Sequence, residues 1–351
     1  MLNHKKSARF RQAACRQLGG WLLILALMVF VMVVLGGVTR LSGSGLSMVD
    51  WQPLTLLPPF SDQDWQAAFD AYRQSPQYRL VNPTMELAQF HDIFWLEYVH
   101  RLWGRLIGAA FLLPFLVFIF QGKLGWRDGP RLVLLFLLGA AQGLLGWLMV
   151  RSGLVDRPEV SHLRLAAHLG MGLLIYLALI WSGLRLRQEA LPISYFSRTQ
   201  GREMIPMLLL VLVLVCAAIQ AGALVAGLHA GLVYNSFPLM NGAIIPPEAF
   251  DLSPWWRNML DNHALVQFDH RVLAALVWLT ALRVWWKSRA LRLGAAARFS
   301  IGLIPFLASL QAGLGIAVLL QKVPLVLAAL HQGNAFLLAA ATVWALAENT
   351  K

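Results

Sequence analysis

Charge is scarce in this chain. Asp, Glu, Lys and Arg together make up 13% of 351 residues, about half of the roughly 25% expected of a soluble globular domain. With 58% of residues hydrophobic, a water-soluble protein of this size has no interior large enough to hide its apolar surface, which excludes an ordinary cytosolic enzyme. Disorder is excluded by the same composition, because disordered chains are poor in apolar residues. Cysteine is nearly absent: Cys15 lies in a basic tail and Cys216 deep in an apolar run, so there is no disulfide framework. A phosphate loop is also missing. The GSGLS stretch from Gly43 to Ser47 is too short and wrongly placed for one, and reads as a tight turn. No small-residue cleavage site directly follows the apolar run at 20–38, so that run reads as a retained span and not a signal peptide.

What is present is length of apolar sequence. A bilayer crossing takes about 20 mostly apolar residues, and stretches near that length, carrying a charge at most at their first residue, occur at 20–38, 132–150, 165–184, 203–228, 299–321 and 323–347. Two runs are shorter, 106–122 and 272–282. The second cannot cross alone, so a span there must draw Asp269, His270 and Arg271 towards the membrane, where ionisable groups are costly and functional. Acidic residues are the scarcer sign, 17 against 29 Lys+Arg, for a formal net charge of +12. That excess does not point to nucleic acid. Most of the basic residues sit in short segments between apolar runs: Lys5 to Arg16; Lys123, Arg127 and Arg131; Arg185, Arg187, Arg198 and Arg202; Arg283 to Arg298; and Lys351. The positive-inside rule then places both termini in the cytoplasm of a plasma (cell inner) membrane protein. Two long outer loops, 40–93 and 229–262, are rich in Trp, Pro and Asn and are expected to cover something.

The two halves read alike. His100-Arg101 is matched by His270-Arg271, Gln142-Gly143-Leu144-Leu145-Gly146 by Gln311-Ala312-Gly313-Leu314-Gly315, His168 by His331, and Gly45-Leu46 by Gly231-Leu232. With four spans per repeat, both repeats enter from the same side and are related by an axis along the membrane normal. The fold class expected is an all-α polytopic membrane protein of eight transmembrane helices, arranged as two duplicated four-helix bundles. Residues 1–19 are a basic cytoplasmic tail and 20–184 the first bundle. A cytoplasmic linker covers 185–202, the second bundle 203–347, and a short tail 348–351.

Each half therefore carries two intramembrane histidines, His100 with His168 and His270 with His331. Singly, each would read as a satisfied structural residue. As duplicated pairs at matching depth, they suit a haem iron held from both sides inside a four-helix bundle. Zinc would want further ligands that neither half offers. His4, His91, His162, His229 and His263 fall in the tail, in outer loops or at span ends. Arg101, Arg105 and Arg271 read either as interfacial snorkelling residues or as partners of haem propionates. Glu97, three residues before His100, shares its helix face; the matching residue before His270 is the neutral Gln267. Either Glu97 is held structurally by Arg101, or the first half does chemistry while the second only holds a cofactor. Neither Cys is placed to ligate an iron, which points away from thiolate-type oxygen chemistry.

Longer motifs now come into view: GGVTRLSGSGLSMVDW from Gly36, NPTMELAQFHDIFWLEYVHRLWGR from Asn82, QGLLGWLMVRSGL from Gln142 and VSHLRLAAHL from Val160. The second half adds AGLHAGLVYNSFPLMNG from Ala226, VQFDHR from Val266 and QAGLGIAVLLQKVPLVLAALHQGNAF from Gln311. Over nearly the whole chain these resemble the haem A synthase family. Residues 39–96 lack cysteine, as in its proteobacterial and mitochondrial branch. The resemblance implies oxidation of a haem O methyl group to the formyl group of haem A by successive hydroxylations, for cytochrome oxidase assembly. It also implies a resident haem b on His270 and His331, substrate haem O at His100 and His168, and Glu97 in that pocket. The implied partners are haem O synthase and an unnamed redox protein, in a membrane setting compatible with a homo-oligomer. A dihaem cytochrome b and a non-enzymatic haem carrier remain the rival readings.

Overall fold

The computed structural model describes residues 2–50, 57–126, 128–155, 158–191 and 200–350, with the backbone alone for 2–8. Arg127, Arg198, Lys351 and the side chains of Lys5 and Lys6, used above for orientation, lie outside the described residues, as does the side chain of His4. Among the described residues eleven α-helices follow in order: α1 Leu2–Leu41, α2 Asp62–Arg73, α3 Pro76–Leu80, α4 Leu87–Phe120, α5 Asp128–Ser152, α6 His162–Glu189, α7 Ile205–Gly227, α8 Asn258–Asp261, α9 His263–Ser288, α10 Ala295–Leu320 and α11 Leu325–Asn349. Among the described residues there is no strand, only an isolated bridge between Met240 and Ala243.

Eight of these helices, α1, α4, α5, α6, α7, α9, α10 and α11, are long and apolar enough to cross a membrane. The short run at 272–282 is completed as expected, because α9 begins at His263 and takes Asp269, His270 and Arg271 into its 26 residues. At about 1.5 Å per residue that helix is long enough to span. Its start is set by Asn262, whose side chain accepts from the backbone N–H groups of Ala264 and Leu265, satisfying donors that a helix leaves unpaired.

The helices divide into an inner and a peripheral set. Half of the α11 span is buried within the protein, against 6% for α4 and α5 and 11% for α10. The main apolar core runs along α1, α6, α7 and α11 through residues such as Leu22, Leu25, Tyr176, Leu208, Val211, Phe336 and Leu338. In lipid the helices gain little from hydrophobicity itself, so close packing and polar ties hold them together. Gln332 on α11 donates to Val33 O on α1 at 2.8 Å. The Arg40 guanidinium donates to Ala226 O.

Both long loops fold back over the helix ends. The first carries α2, capped by Ser61 and Asp64, and packs Phe69 and Tyr72 against Phe90, Phe94 and Tyr98 of α4. Tyr72 stacks on Phe90 with ring centres 5.2 Å apart, and burial pushes its phenol pKa up. Gly43, at φ 69, makes the tight turn expected there, a backbone conformation that favours glycine. The second loop places Tyr234, Met240 and Ala249 against Ala264 and Leu265 of α9. Asn262 ties it down by donating to Glu248 O at 2.7 Å.

Candidate functional site

Each of the four intramembrane histidines rests on a helical glycine. A Cβ at Gly36 would lie 3.1 Å from His100 Cε1, and one at Gly146 would lie 3.0 Å from His168 Cε1. In the other half the corresponding distances are 3.0 Å from Gly222 to His270 and 2.9 Å from Gly315 to His331. Ordinary carbon–carbon contact is about 3.5–4.0 Å, so any larger residue at these four places pushes an imidazole out of position. Gly36 and Gly222 are separated in sequence as Gly45 and Gly231 are, and Gly146 and Gly315 stand within the matched QGLLG and QAGLG motifs. The duplicated spacing carried this signal, but sequence alone did not say that the glycines make beds for imidazoles.

His270 and His331 face one another with ring centroids 6.3 Å apart and planes at 79°. Two imidazoles on opposite sides of one metal, each nitrogen about 2 Å from it and about 1.1 Å from its own ring centre, put their centroids about 6.2 Å apart. The observed spacing fits such a centre. His270 Nδ1 donates to Ala218 O at 3.0 Å, which leaves the Nε2 lone pair free for a metal. Among the described residues no group of three or more His, Cys, Asp or Glu could hold a metal. A metal between these rings must bring its remaining donors with it, as a planar macrocycle does. In the first half, the Nδ1 atoms of His100 and His168 are buried without a hydrogen-bond partner.

Glu97 is buried, at 2% exposure, and its carboxylate is closely engaged. It accepts from Arg101 Nη2 at 2.6 Å, Ser47 Oγ at 2.7 Å and Met48 N at 2.8 Å. Arg101 in turn donates to Met48 O at 2.7 Å and Asp50 O at 3.2 Å. Glu97 and Arg101 thus pin the chain that follows α1 beside the His100 pocket. The second half makes a comparable tie without the carboxylate. Gln267 donates to Tyr234 O at 3.3 Å, and Arg271 to Tyr234 O at 2.9 Å and Pro238 O at 3.2 Å. Arg105 lies one turn further along α4 than Arg101.

The remaining histidines fall elsewhere. His91 packs on Trp65, with ring centroids 4.0 Å apart. His162 pairs with Asp261 at 2.9 Å and His229 with Glu159 at 3.3 Å, so both bridge the two halves at their loop-covered end. His263 opens α9.

Fold and site together define a multi-pass α-helical membrane protein with four glycine-bedded imidazoles on its spans, two of which, His270 and His331, face one another. Comparison with known proteins narrows that class. Residues 19–343 match the family model COX15-CtaA, described as cytochrome oxidase assembly protein, and the chain belongs to this family. It is 48% identical over 328 residues to a "Heme A synthase" of Nitrosospira multiformis, covering 92% of this chain and 91% of that one. A protein of the same name from Paramagnetospirillum magneticum is 46% identical, covering 95% and 94%. One from Nitrosomonas eutropha is 45% identical, covering 92% and 91%.

Proposed function

We propose that this chain is a haem A synthase, an oxidoreductase that converts a methyl group of haem O to the formyl group of haem A and so supplies cytochrome oxidase assembly. The observation that carries the haem assignment is the facing pair His270 and His331, whose 6.3 Å separation suits one metal between them. These two residues would hold a resident haem b, which supplies redox chemistry when bound. His100 and His168 would hold the substrate haem O. Arg271 lies in the loop-covered third of α9, and Arg101 and Arg105 near the middle of α4. Arg101 and Arg271 spend donors on loop carbonyls, so their support of the haem sites runs through those loops.

Glu97 contributes a fixed negative charge one helical turn from His100. Its three short hydrogen bonds suit a stabiliser of positive charge developing at the reacting carbon better than a mobile proton acceptor. Residues 20–184 form the substrate half and 203–347 the resident-haem half, duplicates about an axis along the membrane normal, with both termini cytoplasmic in the cell inner membrane. Haem O synthase stands upstream, and a redox partner takes the electrons. Single histidine substitutions test this division. His270→Ala or His331→Ala should remove the resident low-spin haem. His100→Ala or His168→Ala should keep it and stop haem A formation. A purified His270→Ala/His331→Ala protein with an unchanged low-spin spectrum would overturn the assignment.

A further inference from the structure

The two halves differ along the seam where the first histidine of each is bedded. Between α1 and α4 lies a groove of about 400 Å³, lined by Leu35, Val38 and Thr39 of α1 and by Trp95, Leu96 and Val99 of α4, with Asp92 towards the loop-covered end. These residues flank the bed itself, since Gly36 follows Leu35 and His100 follows Val99. The walls are apolar. Thr39 spends its hydroxyl on Leu35 O at 2.8 Å, and Asp92 is the only ionisable residue among those lining the groove. Trp95, Leu96 and Val99 are 42%, 37% and 42% exposed, so the groove is open on the side that faces lipid.

The match of His100 with His270 puts Leu265, Val266 and Asp269 where Trp95, Leu96 and Val99 stand. There the wall is covered. Leu265 is 8% and Val266 1% exposed, and Leu265 packs with Tyr234, Met240 and Ala249 of the second loop. The place of Val99 is taken by a carboxylate, which an apolar ligand would leave poorly solvated. Whole helices differ in the same sense: 28% of the α9 span is buried within the protein against 6% of α4.

We propose that the α1–α4 groove receives the isoprenoid tail of haem O and so fixes which edge of the macrocycle lies beside Glu97. This rests on the placement of haem O at His100 and His168 and deepens it. Haem b has no such tail, so the half that would hold it needs no groove. Pockets that enclose small ligands run from about 300 to 1,000 Å³, and the lower part of that range suffices for a chain of about fifteen carbons. The tail leaves lipid for the groove, so the gain comes from van der Waals packing along its walls, as it does between helices in a membrane. A macrocycle held only through its iron can turn about the line joining two axial ligands. A tail laid along the seam stops that turn and presents one ring methyl for reaction.

The test is a titration of purified protein that keeps its resident low-spin haem, followed by absorbance, with haem O and haem b offered separately to the first half. Wild type should bind haem O about tenfold or more tightly than haem b. Val38→Phe and Val99→Phe put a ring into the groove; each should weaken haem O binding about tenfold and leave haem b binding unchanged. Leu113→Phe, at an exposed place on α4 outside the groove, is the control and should alter neither. Equal affinity of wild type for the two haems would overturn the proposal, because lipid and not the tail then fills the groove. An unchanged haem O preference in both phenylalanine variants would overturn it as well. If the first half of wild type takes up neither haem, the histidine placement has failed, and this proposal with it. Should the phenylalanine variants not fold, Leu96→Ala and Val99→Ala, which only remove atoms from the wall, decide in the same titration, and full retention of the haem O preference overturns the proposal.

Discussion

Glycine-to-alanine substitution inside a helix ordinarily stabilises it by about 1 kcal/mol. At Gly222 and Gly315 we expect the opposite outcome for function. An added Cβ would sit 3.0 Å from His270 Cε1 or 2.9 Å from His331 Cε1, so the ring must retreat by at least about 0.5 Å to reach ordinary contact. His270 has little room to do so, because its Nδ1 is tied to Ala218 O at 3.0 Å. Ligand distances at a metal tolerate about 0.2 Å, and the 6.3 Å ring separation already matches the span of two such bonds. Each alanine variant should therefore lose most of its low-spin haem. Gly302→Ala, where a Cβ meets nothing within 4 Å, is the control and should keep its haem. The assay is the haem absorbance per protein together with a thermal melt. Full haem content in Gly222→Ala and Gly315→Ala would refute the reasoning that these glycines bed the ligands.

Three further outcomes follow from the same geometry. Glu97→Gln places an amino group against Arg101, Ser47 or Met48, all donors towards this carboxylate; breaking a buried ion pair costs about 3 kcal/mol, so the variant should melt lower, keep the second-half haem and lose haem A formation. Ser47→Ala removes one of those three bonds and should destabilise by about 1 kcal/mol, measurable as a shift in melting temperature with haem content unchanged. Reporter fusions at residues 195 and 245 should report opposite sides of the membrane, with 195 in the cytoplasm; the same side for both would break the eight-span topology.

Much of this architecture was legible before any coordinates. Span length and the cost of burying Asp269 and Arg271 identified the α9 crossing, although only its inner 11 uncharged residues, 272–282, look apolar. Matched positions in the two halves singled out His100, His168, His270 and His331. What stayed hidden depends on contacts across distant sequence. Ser47 and Met48 reach Glu97 across about fifty residues, and no local pattern announces that contact. Asn334 looks like an ordinary polar residue in an apolar helix until Gln311 and Leu307 are seen beside it. The choice between a structural and a catalytic Glu97 likewise needed its partners, since the i+4 spacing to Arg101 showed only one of the three.

The central claim is chemical conversion of a haem. Purified protein carrying its resident haem should be incubated with haem O and an electron acceptor, and all haem then extracted and separated. The account requires a formyl-bearing haem that accumulates with time and is absent with His100→Ala. Recovery of haem O unchanged, from a protein that keeps its low-spin resident haem and binds the substrate, would contradict the account and leave a dihaem electron-transfer protein or a carrier in its place.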